Sequence, residues 1–504
     1  MKTRKILNLL VASLLATLML TTTSCKKAMD DQLTNRLTAE EVADLFADRP
    51  EEIRALVAGA LGRLHWFYPT FFTATRHDVG SIMNVALSGD LMTEDMTQAT
   101  FDWHYFDYEM ENNMSTYARP SYTWAIGYAI IGSANEAIEL VNPNTSNPIL
   151  QDILGQALAL RAFGYHMLIQ RFQQTYKGNE NRPGVPLIIT AFDEGFHLDL
   201  SRGTVQNVYD LIERDLELAI RLLTANRPSK DFINKAVAQG LLARVKMCMH
   251  KWAEAEELAH EARSAFPIMS GTEAGGILDS AGNFTQLPYG FNNENNSEWM
   301  WGVKWTVENN MVWMSFQSHM ASDGDGYAGL GSYKAMDNRL YEQMDTADVR
   351  RRLHYMNVEA DLFYNTKFRA VPGWAMDNIY MRSSEMLLIE AEAQAQQGKN
   401  AQAATTLMEL MNRRDQNYRK TEATVEDIFL QKRLELWGEG VIFYDYRRLK
   451  KEVNRMYNTP FNNHLEQVYA SGTSWAVIYQ IPRVEMVDND FINDRDQNPA
   501  TGNN

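Results

Sequence analysis

Aromatic side chains are the residues whose type and grouping most clearly suggest a chemistry in this chain. The sequence holds 11 Trp, 22 Tyr and 21 Phe. A sugar ring offers C–H faces that stack on flat aromatic faces, while nearby polar side chains bind its hydroxyl groups. Core packing is the competing interpretation, because large aromatic residues are mostly buried. Three clusters have the required composition: Trp66, Phe67 and Tyr68 with Phe71 and Phe72; Trp103 with Tyr105 and Tyr108; and Trp299, Trp301, Trp305 and Trp313.

No catalytic motif accompanies these aromatics. The chain has no HExxH, GxSxG, P-loop or CxxC pattern, and its ten histidines show no regular metal-ligand spacing. Asp323 and Asp325 alternate with glycines, but the third acid and the closing Glu of a calcium loop are missing, which favours a surface turn. We therefore expect no enzyme activity, no cofactor and no metal site. A surface hydrolase stays open as an alternative, because two of the many carboxylates could serve a glycosidase.

The first 25 residues have the order of a bacterial export signal. Lys2, Arg4 and Lys5 precede an apolar stretch at residues 6–20 that is short for a membrane span. Small residues then lead to Cys25 in a pattern that resembles a lipobox. We expect a signal peptide at residues 1–24, lipidation of Cys25 and a tether at residues 25–36. An ordinary signal peptide with a fortuitous Cys is the alternative.

Composition predicts a globular body after the tether. Of 504 residues, 45% are apolar, which is enough for a large core. The only other cysteine is Cys248, so a disulfide framework is excluded. The formal charge is −16, or −19 once the cationic signal peptide is removed, and this argues against nucleic-acid binding. We predict a single domain over residues 37–504.

Helical periodicity dominates this body. Small residues repeat at a spacing of twelve, as Ala243 with Ala255 and Ala391 with Ala403, each pair with a Lys four residues before the second Ala. Such residues let antiparallel helices approach closely, as in tetratricopeptide-like helix pairs. Apolar spacing predicts helices at residues 51–65, 121–141, 151–172, 204–223, 233–248, 252–264, 379–397, 400–414 and 424–438.

Strand patterns are few. The best are at residues 185–189, 299–305 and 477–481. Chain rich in Gly, Asn and Asp fills much of the region between the two halves, so we predict a loop-rich insertion at about residues 270–375. Long irregular segments in a compact domain are often functional.

The order of several motifs resembles the SusD-like (SusD/RagB) family of outer-membrane nutrient-binding lipoproteins. In the N-terminal half the resemblance rests on residues 76–96, on Trp124, Tyr128, Ile131, Ala134 and Asn135, and on residues 160–165 and 184–187. In the C-terminal half it rests on residues 382–393 and 433–448, Ile481, Pro482, Glu485 and residues 497–499. Gln431, Ile442 and Ala500 depart from the family pattern.

This resemblance implies a fold and a function. The fold would be mainly α, with tetratricopeptide-like helix pairs as a scaffold and long loops and a few short strands on one side. The function would be the capture of a nutrient and its delivery to a SusC-like TonB-dependent transporter. We expect the nutrient to be an oligosaccharide; a peptide is the alternative. The protein would then sit on the outer membrane, lipid-anchored and exposed at the cell surface, as part of polysaccharide utilization.

The resemblance also divides the motif residues from the expected ligand contacts. We expect Glu435, Glu439, Asp445 and Arg447 to join buried ion pairs, because charged residues persist in cores mainly when they are paired. In the family, ligand contacts come mainly from loops after the second helix and from the irregular region past the middle of the chain. On that resemblance the predicted ligand-binding residues are Trp103, Tyr105, Trp305, Trp313 and Tyr327.

Overall fold

A computed structural model describes residues 49–72, 75–190, 200–456 and 468–500. The predicted signal peptide at residues 1–24, Cys25 and the tether at residues 25–36 lie outside the described residues. None of the helices in these ranges is long and apolar enough to cross a membrane.

Sixteen α-helices in the described residues build the scaffold, and each of the nine predicted helices matches one of them within a few residues. They are α1 (Pro50–His65), α2 (Ile82–Asp90), α3 (Tyr105–Tyr108), α4 (Ala118–Glu139), α5 (Pro148–Phe172), α6 (Val205–Leu222), α7 (Lys235–Cys248), α8 (Trp252–Arg263), α9 (Gly271–Gly275), α10 (Phe316–Met320), α11 (Asn338–Tyr341), α12 (Ser383–Gln396), α13 (Asn400–Arg414), α14 (Val425–Glu435), α15 (Ile442–Arg448) and α16 (Arg483–Asp488).

The long helices pack in sequence order as antiparallel neighbours. Helix α4 lies on α5, α5 on α6, α6 on α7, α7 on α8, α8 on α12 and α12 on α13. Polar side chains fix where several of them begin: the Thr204 and Thr424 hydroxyls accept hydrogen bonds from the third helical N–H in capping boxes. The mainly α, tetratricopeptide-like fold is confirmed.

The predicted alanine repeat corresponds to two matching helix hairpins. All four alanines are fully buried where α7 meets α8 and where α12 meets α13. Each turn contains one residue of left-handed conformation, His250 (φ 61°) in the first and Gly398 (φ 76°) in the second. The next residue, Lys251 or Lys399, donates its N–H to the carbonyl five residues earlier. This is the Schellman arrangement of a helix C-terminus, so the two hairpins share one turn geometry.

The described part of the chain holds ten short strands, which lie mostly in the region between the two helical halves. They are β1 (Met96–Gln98), β2 (Ile277–Leu278), β3 (Phe284–Gln286), β4 (Trp299–Val303), β5 (Lys334–Met336), β6 (His354–Asn357), β7 (Leu362–Asn365), β8 (Asn378–Arg382), β9 (Glu452–Asn454) and β10 (Val468–Ala470). The largest sheet is antiparallel in the order β1, β5, β7, β6, so it joins the chain just before α3 to the predicted loop-rich insertion.

Of the three predicted strands, only the one at residues 299–305 forms, as β4 paired with β8. The segment at residues 185–189 is irregular because scaffold side chains take its backbone hydrogen bonds. The Tyr128 hydroxyl donates to the carbonyl of Pro186 at 2.8 Å, and the Tyr165 hydroxyl accepts from the Ile188 N–H at 2.7 Å. A buried apolar run therefore needs no strand partner here.

The predicted strand at residues 477–481 is wrong for the same reason. The Gln497 side chain accepts from the Ile481 N–H at 2.7 Å, and the Asn498 amide donates to the carbonyl of Tyr479 at 2.8 Å. Residues near the end of the chain thus hold this segment against the helices.

A cluster of buried ions joins the C-terminal helices to the insertion. The Arg382 guanidinium, fully buried at the end of β8, contacts Glu298 at 2.7 Å, Glu435 at 2.8 Å and Glu439 at 2.8 Å. Burial alone would raise the pKa of Glu435, but the Arg414 and Arg382 guanidiniums lower it well below its usual value. We refer to these residues as the Arg382 cluster.

The expected structural roles of the acidic motif residues are confirmed, with one difference. Asp445 pairs with Lys432 and Arg448, and Glu439 pairs with Lys367 and Arg382. Arg447 instead donates to the backbone carbonyls of Gln170 and Gln173. It satisfies the C-terminal end of α5, where helical carbonyls lack partners.

Candidate functional site

Aromatic side chains from separate segments gather around Tyr327. Its hydroxyl accepts a hydrogen bond from the Trp103 indole N–H at 2.8 Å and lies 2.7 Å from His77 Nδ1. The ring of Tyr327 stacks on His319 at 5.2 Å between centroids and meets the edge of Trp313 at 5.3 Å. Trp374 lies 5.6 Å from Trp313. We call Trp103, Tyr327, Trp313, Trp374 and His77 the aromatic cluster.

The Tyr327 hydroxyl links two rings of the cluster. An indole nitrogen can only donate, so the hydroxyl uses a lone pair toward Trp103. Burial and the nearby His319 lower the pKa of His77, and Asp78 opposes them. Burial likewise raises the pKa of Tyr327, which keeps its hydroxyl protonated.

Trp313 and Trp374 lie in segments whose backbone conformation is strained. Trp313 lies in a short 3₁₀ segment (Val312–Met314), and Trp374 ends another (Pro372–Trp374). Val312 has φ 48° and Trp374 has φ 63°, both in the left-handed region that side chains disfavour. Strain of this kind persists where surrounding contacts hold it, and it is concentrated at functional sites. Trp313 remains 37% exposed, so one of its faces is open to a ligand.

A guanidinium lies beside the inner ring of the cluster. Arg76 stands 5.5 Å above the Trp103 ring, and its Nη2 contacts Asp78 at 2.8 Å. Asp78 is fully buried and also accepts from Arg119 at 3.3 Å. The cation therefore stacks on Trp103 while its charge is already neutralised, which positions the indole and adds little net charge to the surface.

Buried charges beneath the cluster hold its framework in place. Asp102 is next to Trp103 in the chain, and its carboxylate forms an ion pair with the Lys334 ammonium of β5 at 2.7 Å. Burial alone would raise the pKa of Asp102, but the Lys334 ammonium and His319 lower it well below its usual value. His319 Nε2 in turn donates to the carbonyl of His77 at 2.8 Å. One network thus connects the segments that carry Trp103, Tyr327 and His77.

Two buried histidines also belong to this network. The rings of His104 and His319 meet edge to face at 4.6 Å. Burial and the neighbouring His319 lower the pKa of His104 to about 4. Asp107, at 3.1 Å from His104, also binds Arg119 at 2.7 Å. The Asp107 carboxylate is therefore matched by a cation within the fold.

The structure brings together three of the five predicted ligand-binding residues. Trp103, Trp313 and Tyr327 belong to the aromatic cluster. Tyr105, at the start of α3, meets Phe101 at 5.4 Å, and Phe101 is 67% exposed. Ligand binding by Tyr105 stays a prediction.

Trp305 does not offer its ring to solvent, and ligand binding by Trp305 stays a prediction without support from its position. It is 5% exposed, and its indole N–H donates to Asn378 Oδ1 at 2.8 Å. Its segment continues from β4 into the core, beside His65 at 5.8 Å. Type and spacing could not separate it from Trp313, because both follow the same aromatic strand pattern in the sequence.

Trp374 and His77 were not among the predicted site residues. His77 stands in the motif at residues 76–80, which indicated only the family. The signal for Trp374 is the turn dipeptide Pro372-Gly373 before it. Gly373 has φ 74°, and a Cβ there would lie 2.6 Å from the Val307 side chain, so this turn requires glycine. Across the described ranges, no group of three or more His, Cys, Asp or Glu side chains could hold a metal ion.

Comparison with known families agrees with this fold. A SusD-like family described as "Starch-binding associating with outer membrane" matches residues 77–247, and the SusD family (SusD_RagB) matches residues 355–500. The chain belongs to the SusD/RagB family, as its motifs predicted.

Relatives and solved structures add detail. "SusD-like protein P2" of Formosa agariphila is 31% identical over 140 residues, a match that spans 27% of this chain and 25% of that protein. A SusD-like carbohydrate binding protein from Bacteroides vulgatus has 20% identity and a TM-score of 0.74, covering 90% of this chain and 98% of that one. Surface glycan-binding protein A from Bacteroides uniformis has 18% identity and a TM-score of 0.64, covering 89% and 99%. A laminarin binding SusD-like protein has 18% identity and a TM-score of 0.62, also covering 89% and 99%.

Proposed function

We propose that this protein binds an oligosaccharide on the aromatic cluster and passes it to a SusC-like TonB-dependent transporter at the outer membrane. One observation carries the binding proposal. Trp103, Tyr327 and Trp313 come from three separate segments; the Trp103 indole donates to the Tyr327 hydroxyl, and Trp313 packs edge-on against the Tyr327 ring while it stays 37% exposed. Family membership and the carbohydrate-binding names of several structural neighbours support it.

The surroundings suit a sugar. Stacking needs rigid flat faces, and the indole–hydroxyl bond and the 3₁₀ segments hold these rings before a ligand arrives. Hydroxyl groups of the sugar need donors and acceptors at the rim. Asp323 and Arg369, paired at 2.7 Å and partly exposed, lie in the loops that carry Tyr327 and Trp374. They supply an acceptor and a donor.

Binding is tested with a glycan array that includes laminarin and starch oligosaccharides, followed by calorimetry on the best ligand. Trp313→Ala should weaken binding roughly thirtyfold, about 2 kcal/mol, because a central platform is lost. Its thermal unfolding should change little. The control is Trp252→Ala, which removes a half-buried indole at the start of α8 that stacks on His250 in the preceding turn. This variant should bind the ligand as the wild type does. Equal affinity of Trp313→Ala and wild type would contradict the site; binding of peptides and no glycan would contradict the ligand class.

We also propose that the protein binds without cutting. The expected absence of a catalytic constellation supports this. Long incubation of the best ligand with purified protein, followed by chromatography, should return the ligand unchanged. Shorter products that follow the protein through purification would favour the hydrolase alternative.

Anchoring and partnership complete the proposal. Lipidation of Cys25 would hold the body at the membrane through several acyl chains, since one chain anchors only marginally. Cys25→Ala should release soluble protein or trap the precursor in cell fractionation. Detergent extraction and affinity capture of the anchored protein should recover a TonB-dependent barrel; capture of this chain alone would count against the transporter.

A further inference from the structure

A basic pocket lies where the segment after α5 meets the chain that follows β10. Its volume is 170 Å³, and three cations line it: Lys177 and Arg182 from the segment after α5, and Lys450 from just beyond α15. Among the described residues that form its walls there is no Asp or Glu. The whole chain carries a formal charge of −16, so the sign of the charge is locally reversed. The aromatic cluster contributes no residue to this lining.

The fold does little to neutralise these three cations. Lys177 is 59% exposed and has only a long contact of 3.7 Å with Glu180. Within the described ranges Arg182 and Lys450 form no ion pair, and both are exposed. A cleft lined by charges of one sign raises the local concentration of ligands of the opposite sign. The pocket therefore favours an anion.

His250, in the turn after α7, senses the same charges. Burial lowers the pKa of His250, and the Arg448, Lys177 and Lys450 cations lower it further. Glu392 opposes them with a smaller effect. At this edge of the scaffold the nearby cations thus outweigh the nearest acid.

The walls of the pocket are held in place by contacts within the fold. The Gln174 side-chain amide donates to the carbonyls of Thr473 at 3.2 Å and Ser474 at 3.3 Å, which ties the segment after β10 to the end of α5. A Cβ on Gly472 would lie 2.7 Å from Cγ of Lys450, so the Lys450 stem packs directly against this glycine. The position of the Lys450 side chain is therefore restricted before a ligand arrives.

An indole and a guanidinium lie side by side in the lining. The Arg182 guanidinium is 6.0 Å from the centroid of the Trp475 ring. A guanidinium beside an aromatic ring keeps its planar fork of N–H donors, which matches the two oxygens of a carboxylate. The flat indole offers an apolar surface to ring C–H groups, and the exposed Thr473 hydroxyl can bond a ring hydroxyl.

We propose that this pocket binds an acidic sugar residue, a hexuronate, with its carboxylate held by Arg182, Lys177 and Lys450 and its ring against Trp475. The volume admits one six-membered ring, since a cavity of about 150 Å³ accommodates benzene. A neutral sugar would gain nothing from the three cations. The pocket is a second saccharide site with its own selectivity, and it does not depend on ligand binding at the aromatic cluster.

Three small probes test the proposal in ligand-observed NMR titrations of the full chain. Methyl β-glucuronide carries the carboxylate, methyl β-glucoside replaces it with CH₂OH on the same ring, and acetate is the carboxylate without a ring. At low ionic strength, where exposed charges are least screened, the glucuronide should bind about tenfold more tightly than either comparison. Trp313→Ala should keep this preference, which separates the pocket from the aromatic cluster. Equal affinity for the two glycosides would overturn the proposal, and so would acetate binding as tightly as the glucuronide.

Two variants with a matched control locate the anion. Arg182→Gln should bind the two glycosides equally. Lys450→Gly removes a cation at φ 53°, where glycine is unstrained, so it should fold normally and lose about threefold in glucuronide affinity. Lys235→Gln removes an exposed cation at the far end of α7, roughly 20 Å along the helix, and should bind as the wild type does.

A glucuronide preference that survives both Arg182→Gln and Lys450→Gly would mean that the anion binds elsewhere. An equal loss in Lys235→Gln would mean that surface charge attracts the probe without a site. Either result overturns the proposal.

Discussion

The Arg382 cluster and the aromatic cluster both bring together residues from distant parts of the chain, but they use those residues in opposite ways. Arg382, Glu298 and Glu435 are fully buried, and each charge is matched by neighbours within the scaffold. In the aromatic cluster the polar edges of Trp103 and Tyr327 are matched to each other, while the outer face of Trp313 is left open. The first arrangement pairs all of its charges inside the fold, whereas the second leaves part of an aromatic ring exposed to solvent.

Backbone conformation also differs between one scaffold turn and the segments that carry the aromatic cluster. The turn between α12 and α13 places Gly398 in the left-handed region, where glycine is unstrained. The segments of the aromatic cluster place Val312 and Trp374 there instead. A bulky residue in that conformation costs of order 1–3 kcal/mol, which the rest of the fold must supply. The scaffold bears the same kind of strain at one turn, because His250 between α7 and α8 also has a left-handed conformation.

The largest effect is expected from Arg382→Met, which leaves Glu298, Glu435 and Glu439 without their shared cation. Removing one partner of a buried ion pair costs about 3–5 kcal/mol. Glu435 and Glu439 keep Arg414 and Lys367, but Glu298 keeps only the more distant Arg414, at 3.8 Å. We expect a loss near the upper end, about 5 kcal/mol, measured as the urea-unfolding free energy. Saccharide affinity of the remaining folded protein should stay unchanged, since the cluster does not face the ligand.

The matched control is Arg49→Met. Arg49 pairs with Glu52 at 3.1 Å, but both side chains are about half exposed, at 55% and 49%. Solvent already screens such a pair, so the expected loss is below about 1 kcal/mol. Similar losses for the two variants would mean that the Arg382 cluster contributes no more than a surface pair.

The next effect distinguishes two tryptophans that the sequence could not. Trp305→Ala removes a core indole and should cost about 3 kcal/mol of unfolding free energy, with normal saccharide affinity at temperatures where the protein is folded. Trp313→Ala should give the reverse, normal stability with weakened binding. Thermal unfolding and calorimetry on both variants measure the contrast. Weakened binding by Trp305→Ala without lost stability would move the site toward β4.

Much of the fold could be predicted because its signals are local. Helical spacing placed most long helices within three residues of their observed bounds, and Ala243 and Ala391 marked the helix hairpins. The failed strands at residues 185–189 and 477–481 depend on side chains far away in sequence, such as Tyr165 and Asn498, which take the hydrogen bonds a strand partner would make. No local pattern carries that information.

The site was predicted in part, and the limit has a similar cause. Trp103, Trp313 and Tyr327 could be found because they stand outside the motifs that build helices. Trp305 shares that property, and only its contact with Asn378, 73 residues later, reveals it as core. His77 was not predicted because it belongs to a motif that indicated only the family. Its contact with the Tyr327 hydroxyl, 250 residues away in the sequence, places it in the aromatic cluster.

A pH-dependent effect of intermediate size is expected from the buried His354 beside the Arg382 cluster. Burial and the Lys367 ammonium lower the pKa of His354 to about 3, against 6.5 in the unfolded chain. Between these two pKa values the unfolded state binds a proton that the folded state does not bind. The free energy of unfolding therefore decreases as the pH falls below 6.5. The loss is about 1.4 kcal/mol per pH unit, or about 2 kcal/mol from pH 6.5 to 5.

His354→Gln removes this titration. At pH 8 the two proteins differ only by the packing change, which serves as the baseline. As the pH falls from 6.5 to 5, urea midpoints should show wild type losing stability faster than the variant. Parallel curves for the two proteins would show that His354 takes up its proton in the folded state.

The smallest change in the free energy of unfolding is expected from Gly398→Ala. It tests whether a side chain in the left-handed conformation is as unfavourable in this scaffold turn as it is expected to be at Trp374. A Cβ on Gly398 would meet no atom within 4 Å, so Gly398→Ala changes the backbone energy and nothing else. At φ 76° an alanine should destabilise the fold by about 1 kcal/mol. Gly132→Ala is the control, because it also meets no atom within 4 Å but lies inside α4, where alanine should stabilise by about 0.5–1 kcal/mol. Opposite signs in chemical unfolding would show that the left-handed conformation is what separates the two positions. If both variants are stabilised, the turn tolerates a side chain freely, and the strain at Trp374 loses its significance as a mark of the site.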